Sequence, residues 1–93
     1  MKILWTQTAL GQLQTIHNEI ERSSAMEAKR LLHRLTRRAA RIAQAPHDGP
    51  ISPEFQAEDV REVFEGAFRL IYLVRPERID ILAVLQNVAV SEA

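Results

Sequence analysis

A lone guanidinium, Arg69, stands in the otherwise apolar run Phe68-Arg-Leu-Ile-Tyr-Leu-Val74. Burying such a charge without a partner costs on the order of several kcal/mol, so Arg69 must pair with an acid, reach solvent or act on another molecule. The preceding apolar run, Val60-Arg-Glu-Val-Phe-Glu65, brings Glu62 within reach as one such acid. A second set of cations is denser: Arg30, Arg34, Arg37, Arg38 and Arg41 recur at helical spacing. A stripe of that kind is a solvated basic face, a seat for an acidic protein segment, or a nucleic-acid surface. Other chemistry finds little support. The chain has no cysteine, and His17, His33 and His47 are scattered without ligand spacing. No Gly-rich phosphate loop or Ser-His-Asp set is present, so neither a metal nor a cofactor is expected.

The elements that position these residues follow from periodicity. Lys2-Ile-Leu-Trp5 is a short β-prone run, after which Thr6 or Thr8 can cap a helix. Ala9, Leu13, Ile16 and Ile20 form its apolar stripe, and His17 flanks that stripe at the edge of the core. Ser24-Ala-Met-Glu27 fits a capping box that opens a second helix, expected to reach residue 45 and stop before Pro46. Ala28, Leu32, Leu35, Ala39 and Ile42 form its apolar stripe, with the arginines roughly 140° away at about 100° per residue. Residues 47–53 are a loop by composition. The period then shortens to that of strands, over 60–65, 68–75 and 79–86, with tight turns at Gly66-Ala67 and Pro76-Glu77. Residues 87–93 read as a tail. The expected fold class is α+β: an N-terminal strand, an antiparallel helical hairpin, then a three-stranded antiparallel meander, β-α-α-β-β-β.

Strand alternation sorts the side chains of the meander. One face carries Val63, Phe68, Leu70, Tyr72, Val74, Ile79, Ile81, Ala83 and Leu85, a floor for the two helices. The opposite face carries Glu62, Phe64, Arg69, Ile71, Leu73, Leu82, Val84 and Gln86, with Arg69 opposite Val84 and diagonal to Glu62 and Gln86. No element of the chain is expected to cover this second face, and an apolar patch of that size marks a partner surface. The alternative is that the 46–59 loop or the tail folds over it.

Bulk properties bound the function. Ninety-three residues are read as a single domain, 1–93. The absence of cysteine, of a signal peptide and of a run long enough to span a bilayer leads to the expectation of a soluble cytoplasmic protein. The zero net charge conceals a polarity: residues 1–45 hold eight Lys/Arg against three acids, and residues 46–93 hold four against nine.

The chain resembles the RelE/ParE superfamily of bacterial type II toxins. The opening Trp5-Thr-x-x-Ala9-x-x-x-Leu13-x-x-Ile16 is similar to the family's first strand and helix. So is the helix exit from Leu35 to Ala45 with Pro46-x-x-Gly49. Val-Arg61-Glu62-Val, Phe68-Arg69-Leu-Ile-Tyr72 and Ile79-x-Ile-Leu-x-Val84 follow in the family's order and near its spacing. The resemblance implies a growth-inhibiting toxin neutralised by a cognate antitoxin in a toxin-antitoxin hetero-oligomer, reaching operator DNA only through the antitoxin. It also suggests a role for the basic helix face in receiving an acidic antitoxin segment.

The superfamily divides in mechanism. RelE-like members cut messenger RNA on the ribosome with cations and an acid–base pair. Here only Arg69 matches a catalytic arginine of that branch. Glu62 stands where a lysine would be expected, and Asn87 and the rest of the tail supply no Arg, Lys, His or Tyr. A nuclease on this chain would rest on Arg69 and Glu62. The resemblance therefore leans to ParE-like members, which bind DNA gyrase without a catalytic constellation. On that reading Arg69, Glu62, Phe64, Ile71, Leu82, Val84, Gln86 and Asn87 contact target or antitoxin. A ribosome-dependent nuclease, a non-toxic interaction module and a small nucleic-acid-binding domain are the alternatives.

Overall fold

Thr6 is where the first strand becomes the first helix. Its Oγ1 accepts from the Ala9 amide at 3.2 Å and donates to the Ile81 carbonyl at 2.8 Å, so one side chain both caps the helix and ties it to the sheet. The computed structural model describes residues 1–55 and 57–86. Its elements are β1 (Lys2–Trp5), α1 (Gln7–Glu21), α2 (Ala25–Gln44), β2 (Val60–Glu65), β3 (Phe68–Val74) and β4 (Arg78–Gln86), the order expected from the sequence.

The helical hairpin turns sharply at Ser24, whose hydroxyl accepts from the Glu27 amide at 3.1 Å. The second half of the capping box does not form. The Ser24 amide is already donated to the Ile20 carbonyl at the end of α1, and the Glu27 carboxylate pairs with Arg30 instead. Along α2 the buried positions are Ala28, Leu31, Leu35, Ala39 and Ile42. Leu31 thus takes the place expected of Leu32, which is left on the surface. Steps of three and four residues keep this line over the sheet, whereas Leu32 points about 100° further round.

The sheet order is β1-β4-β3-β2, with β1 parallel to β4 and the remaining pairs antiparallel. Gly66 makes the β2–β3 turn with φ 59°, a conformation that favours glycine. Both helices lie on one face, over Val63, Phe68, Leu70, Tyr72, Ile79, Ile81 and Val84.

Val84 was expected on the other face. A register shift between Ile71 and Tyr72 makes Leu82 the additional residue of a β-bulge, because Tyr72 pairs with Ile81 while Ile71 pairs with Ala83. Beyond it the alternation of β4 is inverted. Val84 and Gln86 turn to the helix side, Ala83 and Leu85 to the underside, and Arg69 lies opposite Leu85. The Val84 amide at this irregularity is satisfied by Gln12 Oε1 of α1 at 2.8 Å.

Candidate functional site

Glu62 and Arg69 do meet on the underside of the sheet, as their places on neighbouring strands require. Arg69 Nη1 lies 3.2 Å from Glu62 Oε1, and the same guanidinium reaches Glu54 at 3.2 Å. The segment 50–52 is laid along the outer edge of β2. The Ser52 amide donates to the Val60 carbonyl at 2.8 Å and the Glu62 amide to the Pro50 carbonyl at 3.0 Å. The chain then turns, with the Phe55 amide on the Ser52 carbonyl, and this places Glu54 above Arg69. Ser52 is buried, with its hydroxyl 3.5 Å from Glu62 Oε1. Arg61 holds the same loop from inside, donating to the carbonyls of His47, Gly49 and Glu58.

These contacts correct the expectation of a bare underside carrying an unpartnered guanidinium. The protein's own loop closes that face over the Val60 and Glu62 end of β2. Glu62 is only 6% exposed, and Arg69 is neutralised from within. What stays open is smaller: Phe64 is 48% exposed, with Leu73, Leu82 and Leu85 half-buried and Ile71 covered. Gln86 lies at the end of β4 on the helix side, and Asn87 is outside the described residues.

On the helix side, the loop packs against Tyr72, which is fully buried as expected. Its hydroxyl donates to the Pro46 carbonyl at 2.7 Å. Burial raises the phenol above its ordinary pKa, opposed by the Gly49 backbone and by the charges of Arg61 and Arg38. Tyr72 therefore stays a neutral donor at physiological pH. Beside it a depression of about 330 Å³ opens between the end of α2 and the loop, with Arg38, Arg41, Asp48 and Gly49 in its walls. A second depression of about 210 Å³ follows along α2, lined by His33, Arg34, Arg37, Arg38, Arg41 and Glu65. Arg30 pairs with Glu27 at the surface; Arg34, Arg37, Arg38 and Arg41 make no salt bridge with a carboxylate among the described residues.

At the β3–β4 turn, Asp80 is buried beneath Arg75 and Arg78, each donating through Nε to its carboxylate. The Arg75 hydrogen bond is the main cause of an Asp80 pKa below the ordinary range; burial opposes it and Arg78 adds to it. A carboxylate with a depressed native pKa stabilises the fold above its unfolded value of about 3.9 and loses that contribution as pH falls through the native value. Thermal melts from neutral pH downward should therefore show an acid limb below about pH 4 that Asp80→Asn flattens, with the variant already less stable at pH 7. An unchanged limb in the variant would assign acid sensitivity to other groups.

Sequence reasoning found Arg69, Glu62 and the arginine stripe but missed Ser52, Glu54 and the loop-holding role of Arg61. It also missed Gly49 as a contact point, although Pro46-x-x-Gly49 had marked the loop. Comparison with known proteins is consistent with the fold. The profile of the family described as "ParE toxin of type II toxin-antitoxin system, parDE" matches residues 3–87. A chain in the solved structure of the chromosomal ParDE TA system from P. aeruginosa superposes with a TM-score of 0.77 at 19% identity, covering 92% of this chain and 95% of the other. No curated protein is a significant match.

Proposed function

The chain belongs to the ParE toxins of type II toxin-antitoxin systems, and from that premise we propose that it arrests growth by binding DNA gyrase and is neutralised by a cognate antitoxin. The observation that carries this reading is the internal pairing of Arg69 with Glu62 and Glu54. The two side chains a nuclease would need are held by each other and by the loop. Releasing Arg69 to a ribonucleotide would leave Glu62 buried without its cation. Binding through a surface asks for no such release.

The antitoxin's place on this reading is the open remainder of the underside. Phe64 is its exposed aromatic anchor on β2, and Leu82 and Leu85 lie two strands away on β4, across Arg69 and Ile71 of β3. Gln86 lies where β4 ends. The partner is thus a chain with apolar residues at strand or helix spacing, forming a hetero-oligomer with the toxin.

Purified protein added to gyrase and relaxed plasmid should inhibit supercoiling, and co-purified antitoxin should restore it. Expression of the chain alone should arrest growth. Codon-phased messenger RNA cleavage in a translating extract, with gyrase unaffected, would overturn the proposal in favour of the RelE-like mechanism.

A further inference from the structure

We infer that the arginine face of α2 is a binding surface for the phosphate backbone of duplex DNA, contacted by the toxin directly. This goes beyond the gyrase reading and does not depend on it.

The distribution of cations singles out this face. In residues 46–93 every arginine is already engaged inside the protein. Arg69, Arg75 and Arg78 sit on carboxylates, and Arg61 is spent on three loop carbonyls. On α2 the reverse holds. Arg34, Arg37, Arg38 and Arg41 project together without a carboxylate partner among the described residues, although nine acids lie in the other half of the chain. Arg30 extends the row, so that the five cover about 16 Å at about 1.5 Å per residue. Such a row matches a polyanion of closely spaced charges, since duplex DNA carries one per about 1.7 Å of axis.

The shape and composition of the face choose between polyanions. The two depressions along it share Arg38 and Arg41, so they form one groove whose cations lie on the helix wall. The smaller part along Arg34 and Arg37 contains no apolar side chain, and in the larger part Ile42 and Val63 are buried, which leaves Pro50 as its exposed apolar contact. The large exposed apolar residues (Leu4, Leu10, Met26, Leu32 and Phe64 among them) are not in its walls. A protein segment needs a desolvated apolar anchor for stable binding, and the stretch along Arg34 and Arg37 offers none. Single-stranded nucleic acid needs a succession of exposed rings to stack on; Tyr72 is buried, which leaves the one imidazole of His33 at this groove. Guanidiniums that fork onto phosphate oxygens satisfy a duplex backbone with neither.

The test is fluorescence anisotropy of the purified full chain with a fluorescein-labelled 20-base-pair duplex of arbitrary sequence. Binding should be independent of sequence and should weaken about 100-fold between 50 and 200 mM salt, as about four phosphate contacts require. Arg37→Glu with Arg41→Glu should abolish it, while Arg22→Ala, a cation away from the face, should leave it unchanged. If circular dichroism shows the double glutamate variant to be misfolded, Arg37→Gln with Arg41→Gln serves, with a smaller loss and a salt slope reduced by about two. Three results would overturn the inference: no binding at 50 mM salt, binding indifferent to the α2 variants, or capture of a polyglutamate peptide but not of the duplex. Inhibition of gyrase by a chain that fails to bind DNA would sink this inference alone, leaving the gyrase reading in place.

Discussion

Glu62→Ala should lower stability by about 3 kcal/mol, the low end of the loss seen when one partner of a buried ion pair is removed. The low end applies because Arg69 keeps a partly open side chain, 18% exposed against 8% for Glu62, and retains Glu54. For a chain of this length the melting temperature should fall by roughly 12–24 °C, at about 4–8 °C per kcal/mol. Two companion variants show where the effect lies. Glu54→Ala, which removes a surface partner, should cost about 1 kcal/mol or less. Glu62→Leu combined with Arg69→Met should recover most of the loss, because no uncompensated charge is left on the underside. Urea denaturation of the four proteins measures all of this. Equal losses for Glu54→Ala and Glu62→Ala would show that the loop contact, not the buried pair, holds this face together.

Gly49→Ala should be the second costly change, and for a steric reason. A Cβ at this position would lie 2.6 Å from the Glu62 carbonyl oxygen, 2.7 Å from the Tyr72 hydroxyl and 2.9 Å from Val63 Cγ1. The first of these is backbone in a paired strand and cannot yield cheaply, so the loop must move. Overpacking of this kind costs about 1–3 kcal/mol. The displaced loop would also strain the hydrogen bonds from Arg61 to the Gly49 carbonyl and from Tyr72 to the Pro46 carbonyl. The expected result is a destabilised chain whose loop is cut faster by protease while the helices keep their far-ultraviolet signal. A melting temperature within a degree of the parent would mean that the approach of loop to sheet is looser than these distances state.

Much of the architecture was legible because local signals agreed. Thr6, Ser24, Pro46, Gly66 and Pro76 each mark a boundary by the backbone geometry they favour, and the stripes of α1 and α2 repeat at helical spacing. The phase of β4 was not legible. From Ile81 to Leu85 every residue is apolar, so nothing in the run reports which face it serves. The inversion at Leu82 is instead bound up with tertiary contacts, from Thr6 to Ile81 and from Gln12 to Val84, each more than seventy residues away in sequence. The same limit applied to the site. Glu62 and Arg69 sit on adjacent strands and could be paired from alternation. Glu54 reaches Arg69 through a loop whose path is set by edge hydrogen bonds at Pro50 and Ser52, which have no periodic signature. Which edge β1 joins was equally silent in the sequence.

That last pairing sets the hardest closure in assembling the domain. β1 finds its hydrogen-bonding partner in β4, so Ile3 and Trp5 have no sheet to join until Ile79 and Ile81 are in place. Both helices lie between these two strands in sequence and pack on the floor that the strands help to build. A contact between segments so far apart in the chain costs loop-closure entropy before it returns any stabilisation, so this edge of the sheet is expected to form late and slowly.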